Sequence, residues 1–383
     1  MAKKKVLLLA QYIGTGGLEY MKLNLALSLK AQGEYEPFIF AYQNSLTQND
    51  LLQIYEREGI SVFCVPKKMG FSFRTVIRII KVCITHRIRL IHSHDIGPLI
   101  YAGMARLCSF GVIKHVHTQH SFHHIQEFTK YSLYEKIFSR VANQVCVVSE
   151  YLRDVYSTIG IAKDKITYIP NGISIPEKVP HTWSDKQKAQ EKICLENASL
   201  APILAKKKFW LLSLARISKT KGQPQILSLW NRLTPQQKEN WALLFVGPEQ
   251  EKGFIASLQN SLHQNDSVVF AGPTKLPASW YAASTLYCSA SVSEGLPLAP
   301  VEALASNLPV LLSEIPGHEF LRSFGAEFFP LNEEEDAKNI LFAEMKKCAS
   351  AQALPQTNAA IAHEFDLERM CRAYRAVYNA VLY

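Results

Sequence analysis

The chain has 383 residues, of which 48% are apolar and 20% charged, and a formal net charge of +9. This length is typical of two domains, and the composition excludes a small disulfide scaffold, a fibrous repeat and a disordered regulator. Residues 1–180 carry 22 basic against 13 acidic side chains, whereas residues 181–383 carry 20 of each. The basic first half indicates an anionic partner (nucleic acid, a phospholipid surface or a phosphorylated substrate) or a surface charge that only favours solubility.

The first half alternates short apolar runs with amphipathic stretches. Val6–Ala10 predicts a buried strand, a glycine loop follows at Gly14–Gly17, and Leu18–Gln32 predicts a helix that ends at Gly33. The later strands of this half are predicted at Phe38–Ala41, Val62–Val65, Leu90–His92, Val112–His117, Val145–Val148 and Ile166–Ile169. Strands that alternate with helices are typical of a parallel sheet covered on both faces, the doubly wound α/β architecture.

The second half repeats this alternation. Its strands are predicted at Trp210–Ala215, Leu243–Val246, Val268–Phe270, Thr285–Ser289 and Val310–Ser313. A turn signal at Pro170-Asn171-Gly172 separates the halves, and the polar stretch His181–Lys208 predicts a surface helix or a partly mobile linker. We therefore expect two Rossmann-like domains, residues 1–175 and 176–364, followed by a helix over residues 365–383.

One helix of the first half is both apolar and basic. The pattern predicts a face formed by Phe73, Val76, Ile77, Ile80 and Ile84 and another that carries Arg74, Arg78 and Lys81. An ordinary helix that buries its apolar face against a sheet explains this pattern. The alternative is that the basic side rests on an anionic membrane surface.

Cysteine usage and the N-terminal residues indicate a cytoplasmic protein. None of the eight cysteines forms a C-x-x-C pair, and most lie in apolar runs, which favours a reducing compartment. The run Val6–Ala10 is too short for the apolar core of a signal peptide. No apolar run approaches the length of about 18 residues that a membrane span needs, so we expect none.

The strongest candidate site follows the predicted strand Thr285–Ser289. Two prolines suit the first turn of a helix, which places Glu294 in the loop before the helix and Glu302 on it. Backbone amides from Gly295 to Leu298 would lie between the carboxylates, at the helix N-terminus. This arrangement suits a diphosphate on the amides and hydroxyls of a sugar and a ribose on the carboxylates.

Two cations follow the strand Trp210–Ala215. Arg216 and Lys221 should emerge at the carboxyl edge of a parallel sheet, where open α/β folds bind ligands. A guanidinium and an ammonium suit a diphosphate, although solvated surface cations explain the same pattern. The loop Gly14–Gly17 is a weaker phosphate signal, because it matches neither G-x-G-x-x-G nor a P-loop, and a tight turn without a ligand is the alternative.

Several motifs occur in a recognisable order. In the first half they are Gly16-Gly17, Ile91-His92-Ser93-His94, His117-Thr118-Gln119-His120, Val148-Ser149-Glu150 and Ile169-Pro170-Asn171-Gly172-Ile173. In the second half they are Arg216 with Lys221-Gly222, Val246-Gly247, Phe270-Ala271-Gly272 and the pair Glu294 and Glu302. In order and spacing these motifs resemble those of the retaining nucleotide-sugar glycosyltransferases of family four. That family has the GT-B fold, in which two Rossmann-like domains face a central cleft.

The resemblance implies a role for each matching residue. Arg216 and Lys221 would neutralise the donor diphosphate, Glu302 would bind the ribose hydroxyls, and Glu294 would bind hydroxyls of the transferred sugar. His120 would face the donor sugar from the first domain. The implied catalytic residues are His120, Arg216, Lys221 and Glu294, and the implied donor-binding residues are Gly16, Gly17, Gly247, Gly295, Leu296, Leu298 and Glu302.

The resemblance also implies a reaction. A hexose would pass from a nucleotide-diphosphate sugar to a glycan or lipid-linked acceptor of lipopolysaccharide, capsule or glycolipid type. The leaving phosphate would help deprotonate the acceptor on the same face, so no protein nucleophile is needed. The donor would bind the second domain and the acceptor the basic first domain, onto which residues 365–383 would cross back. From the basic first half and the basic helix of residues 73–84, rather than from the resemblance, we expect a cytoplasmic protein that is peripheral on the inner face of the cytoplasmic membrane.

The chain departs from the family at three places. Ala290-Ser291 stands where Pro-Ser is usual, Asn307-Leu308 stands where a Gly often precedes Pro309-Val310, and Ile315–Glu319 replaces a glycine-rich turn after a strand. None of these changes removes a charged group of the implied site. They leave the identity of the donor and the orientation of its sugar open.

Other functions explain part of the pattern. A nucleotide-sugar epimerase of the same fold and a non-catalytic two-lobe sugar-binding protein remain alternatives. A nicotinamide-dependent dehydrogenase is weakened by the incomplete glycine fingerprint, and a nucleic-acid binder would need a motif that the sequence lacks. Histidines crowd between His115 and His124, which suggests a metal site. However, no Cys, Asp or Glu lies among them, and no Asp-x-Asp occurs, so we expect a reaction without a divalent metal or other cofactor.

Overall fold

The computed structural model describes residues 3–14, 16–42, 50–68, 70–121, 129–174, 179–180, 182–262, 267–351 and 359–383, apart from the side chains of residues 129 and 130. These residues form two compact units. The first unit combines Met1–Ile173 with Phe365–Tyr383, and the second is Ser174–Glu364. Each unit contains one parallel sheet.

The sheet of the first unit has seven strands in the order β3-β2-β1-β4-β5-β6-β7. They are β1 Lys4–Ala10, β2 Tyr35–Ala41, β3 Ser61–Cys64, β4 Leu90–His94, β5 Lys114–Gln119, β6 Gln144–Val147 and β7 Ile166–Tyr168. All pairs in it are parallel. The strand order reverses between β1 and β4, and ligands of open α/β sheets bind at such a switch point.

Helices cover both faces of this sheet. In chain order they are α1 Gly17–Ala31, α2 Asp50–Arg57, α3 Phe73–His86, α4 Ile96–Cys108, α5 Thr129–Val141 and α6 Glu150–Thr158. Successive residues of a strand point to opposite faces. Accordingly, Val6 and Leu8 pack in one core with α1 and α2, whereas Leu7 and Leu9 pack in another with α3 and α4. A segment buried on both faces must be apolar, which is why Val6–Ala10 of β1 form a continuous apolar run.

The second unit has six parallel strands in the order β10-β9-β8-β11-β12-β13. They are β8 Phe209–Leu214, β9 Trp241–Val246, β10 Val268–Gly272, β11 Leu286–Ser289, β12 Val310–Ser313 and β13 Glu327–Phe329. The next helices are α7 Trp183–Glu196, α8 Ala201–Leu204, α9 Gln223–Asn231, α10 Pro235–Lys238, α11 Phe254–Gln259, α12 Pro277–Ala283, α13 Leu298–Ala305, α14 Glu334–Ser350 and α15 Ala359–Glu364. Its switch point lies between β8 and β11.

The last helix, α16 Leu367–Leu382, belongs to the first unit, which confirms the predicted crossing back of the C-terminal helix. Its N-cap Asp366 accepts a hydrogen bond from the Arg369 amide at 2.7 Å. Tyr378, fully buried, contacts His92 Nδ1 through its hydroxyl at 2.6 Å. The other His92 nitrogen lies 2.7 Å from Thr118 Oγ1. These contacts connect the helix to strands β4 and β5.

Some sequence predictions need correction. The fifth strand begins at Lys114 rather than Val112, because Phe110 and Gly111 form a left-handed turn with φ of 50° and 78°. By contrast, the stretch predicted as a surface helix or linker does contain a helix, α7, which buries only Lys186, against the carbonyl of Ser284, and Ile193. The short strand β13 was not predicted at all, because three residues are too few for a periodicity signal.

The predicted apolar face of α3 is wrong at three positions. Phe73, Ile77 and Ile84 are exposed. The helix instead buries Thr75, Val76, Ile79 and Cys83. Apolar side chains occur on two sides of this helix, so periodicity alone does not tell which side the sheet covers. No described helix is long and apolar enough to span a membrane.

Replacing Tyr378 by Phe tests how the C-terminal helix is held. The change removes the hydroxyl beside His92 Nδ1 and leaves a buried ring nitrogen without this partner. We expect a loss of about 1–3 kcal/mol in the free energy of unfolding, measured by urea denaturation. Tyr383→Phe is the control, because Tyr383 is 93% exposed, and it should change stability by less than about 0.5 kcal/mol. Equal losses in both variants would contradict this account.

Candidate functional site

A partly buried ion pair lies at the carboxyl edge of the second sheet. Lys221 Nζ is 2.6 Å from Glu294 Oε1, and Ser291 Oγ donates a hydrogen bond to the same oxygen at 2.7 Å. The exposed fractions of the Lys221 and Glu294 side chains are 23% and 12%. Lys221 follows β8 and Glu294 follows β11, and these strands are neighbours in the sheet. The order of the strands therefore brings Lys221 into contact with Glu294, two residues that the sequence analysis assigned to separate roles.

Two close backbone approaches surround this pair. Gly222 has φ of +73°, and a Cβ on it would lie 1.9 Å from the carbonyl oxygen of Ala290. A Cβ on Gly317 would lie 2.2 Å from the carbonyl oxygen of Glu294. Only glycine fits such approaches. The segment after β8 and the loop after β12 thus both pack closely on the loop that carries Glu294.

The pKa of Glu294 is set by two opposing effects. Burial alone would raise it, but the Lys221 ammonium and the Ser291 hydroxyl favour the charged form and hold the pKa of Glu294 below its ordinary value. The carboxylate is therefore an anion at neutral pH. In this state it can accept hydrogen bonds from sugar hydroxyls.

His318 is a supporting residue that sequence analysis noted only as part of a departure from the family. It is fully buried, and its Nδ1 lies 2.9 Å from the carbonyl oxygen of Ser313. Burial lowers its pKa, so the ring is neutral at pH 7. Ser313 Oγ in turn donates a hydrogen bond to the carbonyl oxygen of Ser291 at 2.6 Å. The available sequence signal was a histidine next to a glycine soon after a buried strand.

The second carboxylate, Glu302, has a different environment. It lies on α13, as predicted, and accepts a hydrogen bond from the Tyr281 hydroxyl at 2.8 Å. Burial raises the pKa of Glu302 to about 6, and the Tyr281 hydroxyl only partly opposes this rise. Because no cation pairs with Glu302 among the described residues, its ionised form is costly. Further hydroxyl donors would lower that cost.

Between the carboxylates lies the N-terminus of α13. The N-cap is Pro297, and no side chain caps the helix there. The first N–H groups of any α-helix have no partner inside the helix, and the helix dipole makes this end favourable for anions. Gly295 and Leu296 are buried, and Leu298 opens the helix. The predicted contacts of these three residues with a donor stay predictions.

Arg216 is an exposed cation at this edge. Its carbonyl oxygen accepts a hydrogen bond from Gln223 Nε2 at 3.0 Å. Gly247 lies close by, since a Cβ on it would be 1.9 Å from the carbonyl oxygen of Ala215. Close packing at the end of β9 is thus a sufficient reason for this glycine. Its predicted donor contact, like that of Arg216, stays a prediction.

In the first unit, His120 follows β5 and uses both ring nitrogens. Its Nε2 lies 3.0 Å from His94 Nδ1, and its Nδ1 lies 3.2 Å from Asn171 Nδ2. Burial lowers the pKa of His120 far below its ordinary value, and nearby cationic groups add to this. His120 is therefore neutral. The predicted contact with a donor sugar stays a prediction.

A carboxylate folds back on the glycine loop. A Cβ on Gly16 would lie 2.5 Å from Glu19 Oε2, and Gly17 begins α1. Glu19 is buried, with its Oε1 3.6 Å from Nζ of the buried Lys22. Sequence analysis singled out the two glycines but missed this pair, whose signal was a Glu two residues after the second glycine. The donor contacts predicted for Gly16 and Gly17 stay predictions.

Asp95 is a second residue that sequence analysis missed. It stands between β4 and α4 with φ of 63°, a strained conformation for a residue other than glycine. Burial raises its pKa to about 6, against an opposing effect of the Lys22 ammonium. Its Oδ1 is buried and has no hydrogen-bond partner within the described ranges. Strain, an unpaired oxygen and a position at the β1/β4 switch point are typical of a ligand-binding residue.

The histidine cluster forms hydrogen bonds within the core. His115 Nε2 and His117 Nδ1 lie 2.7 and 3.0 Å from Ser93 Oγ. His117 Nε2 is 3.4 Å from Glu135 Oε1. Over the part of the chain that the structure describes, no three His, Cys, Asp or Glu side chains are grouped to hold a metal ion. His123 and His124 lie outside the described residues.

Known proteins match the chain over most of its length. The profile of Glycosyltransferase Family 4 matches residues 15–176, and the profile of Glycosyl transferases group 1 matches residues 199–322. A protein of Haemophilus influenzae, described as an uncharacterized glycosyltransferase, is 27% identical over 313 residues, which cover 80% of each chain. The chain is a glycosyltransferase of the family 4 type. Together the two profile matches contain every predicted site residue of this glycosyltransferase.

Two further similarities extend over most of the chain. Anabaena HepE, in complex with UDP and glucose, has a TM-score of 0.80 at 18% identity, covering 98% of this chain and 100% of that one. The alpha-monoglucosyldiacylglycerol synthase of Streptococcus pneumoniae is 26% identical over 328 residues, which cover 80% of this chain and 70% of that protein. The predicted GT-B fold of this glycosyltransferase is confirmed.

Glu302→Gln should stabilise the enzyme at alkaline pH. A carboxyl whose pKa is raised from 4.5 to about 6 binds its proton more tightly in the folded state, so stability falls as the pH rises through this window. The neutral amide avoids that loss and still accepts a hydrogen bond from Tyr281. We expect a gain of up to about 2 kcal/mol near pH 8 that disappears below about pH 4.5, measured by denaturant unfolding across pH.

The control for this prediction is Glu251→Gln, which changes an exposed carboxylate of the same unit. It should leave stability within about 0.5 kcal/mol of the parent at each pH. A loss of stability in Glu302→Gln near pH 8 would contradict the assigned cost of its charge.

Proposed function

We propose that the enzyme transfers a hexose from a nucleotide-diphosphate sugar to a hydroxyl of a glycan or lipid-linked acceptor, with retention of configuration and without a divalent metal. The observation that carries this proposal is the contact of Lys221 with Glu294 beside the uncapped N-terminus of α13. It provides a cation, an anion and free amides at one sheet edge. In a nucleotide-diphosphate sugar, the cation and the amides suit the diphosphate, and the anion suits the hydroxyls of the sugar.

The diphosphate is the most highly charged part of such a donor. Arg216 is exposed, and the Lys221 ammonium lies at the same edge of the sheet. Charge-assisted hydrogen bonds from these groups would strengthen as negative charge develops on the leaving phosphate. The first-turn amides of α13 would add donors and a favourable dipole. These residues supply the charge that a divalent metal supplies in other transferases.

The two carboxylates suit the uncharged parts of the donor. Glu302 has one hydroxyl donor, Tyr281, and a raised pKa, so the two hydroxyls of a ribose would favour its charged form. Glu294 is already anionic and would accept hydrogen bonds from sugar hydroxyls. Because Lys221 and Ser291 both bind one of its oxygens, we assign Glu294 to positioning the sugar rather than to attacking it.

Similar proteins suggest the first donor and acceptor to test. HepE is described in complex with UDP and glucose, which makes UDP-glucose the first donor. The S. pneumoniae relative is named as a monoglucosyldiacylglycerol synthase, which makes diacylglycerol the first lipid acceptor. Retention would be read from the anomeric proton coupling of the product by NMR.

The donor site is tested by thermal unfolding with UDP-glucose and other nucleotide sugars, in the presence of a chelator. A donor at 100 times its Kd should stabilise the protein by about 2.7 kcal/mol. Arg216→Ala and Lys221→Ala should each weaken donor binding by about 10- to 100-fold, since each removes a charge-assisted hydrogen bond. Lys252→Ala, at an exposed lysine of the same unit, is the control and should bind the donor like the parent.

Three outcomes would contradict the proposal. The first is no stabilisation by any nucleotide sugar, and the second is stabilisation that disappears in chelator. The third is donor binding that both Arg216→Ala and Lys221→Ala leave unchanged. Conversion of the bound sugar to an epimer without transfer would favour the epimerase alternative.

A further inference from the structure

The solvent face of α3 carries apolar side chains that the fold leaves uncovered. Phe73, Ile77 and Ile84 are 52%, 54% and 71% exposed, and they follow one stripe along the helix at spacings of four and seven residues. Phe71 precedes the helix, is 57% exposed and stacks on Tyr101 with ring centroids 5.3 Å apart. A run of large apolar groups along one exposed face indicates an interaction surface.

Cations adjoin this apolar stripe. Arg74, Arg78 and Lys81 are exposed and follow a second stripe, next to the first, at spacings of four and three residues. No ion pair involves these three side chains among the described residues. The whole stretch of residues 59–94 contains no Asp or Glu. The surface is therefore positively charged without local compensation, and it contributes to the basic excess of the first half.

A pocket opens on the cationic side of the helix, between α3 and the edge strand β3. It has a volume of about 280 Å³. Phe63, Val65 and Val82 line it together with the cationic residues Arg78 and Lys81 and with His86. None of its described lining residues is acidic. Its chemistry suits a single phosphate group attached to a hydrocarbon, because the cations can bind the phosphate while the apolar wall contacts the carbon chain.

We propose that this face of the first unit binds the surface of an anionic phospholipid bilayer, with one phosphate headgroup in the pocket between α3 and β3. The apolar stripe enters the boundary between headgroups and acyl chains, and the cationic stripe lies among the phosphates. This is the arrangement of amphipathic helices that lie in a membrane interface. A nucleic-acid partner would also account for the cationic stripe, but it would not account for the exposed apolar side chains of Phe73, Ile77 and Ile84. The inference goes beyond the proposed reaction and does not depend on it.

The experiment is vesicle co-sedimentation of the full chain without donor or acceptor. We expect binding to vesicles of phosphatidylcholine mixed with phosphatidylglycerol, weakening as salt is added, and much weaker binding to phosphatidylcholine alone. The double variant Arg78→Gln with Lys81→Gln should bind the mixed vesicles about 30-fold more weakly, since each cation near an anionic surface contributes about a factor of five. Both residues are exposed, so thermal unfolding should show a folded protein.

Two further variants make the test specific. Lys188→Gln with Lys206→Gln removes the same charge from exposed positions of the second unit and should bind within about twofold of the parent. Ile77→Ser with Ile84→Ser leaves the charge unchanged and should weaken vesicle binding by about tenfold or more. Soluble dihexanoyl-phosphatidylglycerol should perturb the amide NMR signals of residues 78–86. This perturbation should be smaller in the variant with Arg78→Gln and Lys81→Gln.

Several results would overturn the proposal. They are equal binding to both kinds of vesicle, equal loss in the second-unit control, and vesicle binding unaffected by either α3 double variant. Binding of an RNA oligonucleotide that depends on Arg78 and Lys81 but not on Ile77 and Ile84, without vesicle binding, would identify nucleic acid as the partner instead. None of these assays uses a nucleotide sugar, so their failure is separate from failure of the donor-binding experiment.

Discussion

A buried carboxylate is costly unless a cation and hydrogen-bond donors accompany it, and the second unit is arranged around one such group. Glu294 is held by Lys221 and Ser291, and burial would otherwise favour its neutral form. Gly222 and Gly317 allow two neighbouring segments to approach its loop within distances that no other residue permits. Because these contacts come from the ends of three different strands, the carboxyl edge of this sheet is preorganised. In the proposed reaction, little reorganisation would then be needed when charge develops on a bound phosphate.

Glu302 shows the opposite balance. It has a tyrosine hydroxyl but no cation, and its pKa rises to about 6. The two carboxylates of the motif therefore differ in what they need from a ligand. Glu294 is already compensated by the protein, whereas Glu302 would be compensated by hydroxyls that a ribose can provide. Between them lies a helix N-terminus that favours anions. In the proposed function, this division of charge would allow two acidic groups to flank a site for a phosphate-bearing donor.

The first unit combines a neutral histidine network with a strained acid. His92 connects the C-terminal helix to β5 through Tyr378 and Thr118, and His94 connects β4 to His120. Asp95 follows directly, in a left-handed conformation and with a raised pKa. Burial keeps these histidines uncharged, and the Lys22 ammonium is the largest of the effects that oppose the rise in the pKa of Asp95. The helix α3 is not part of this network, and its apolar and cationic stripes face solvent.

The sequence by itself determined the alternation of strands and helices, because parallel strands buried on both faces are continuous apolar runs that glycine and proline interrupt. It also determined the chemical groups of the candidate site, such as Glu294 in a loop and Glu302 on a helix. Only the tertiary structure decided their partners. Lys221 meets Glu294 because β8 lies beside β11, and this strand order is not encoded in any local pattern. In the same way, the periodicity of the sequence showed that α3 has apolar and basic faces. Only the packing of the helix on the sheet decided which side chains stay exposed.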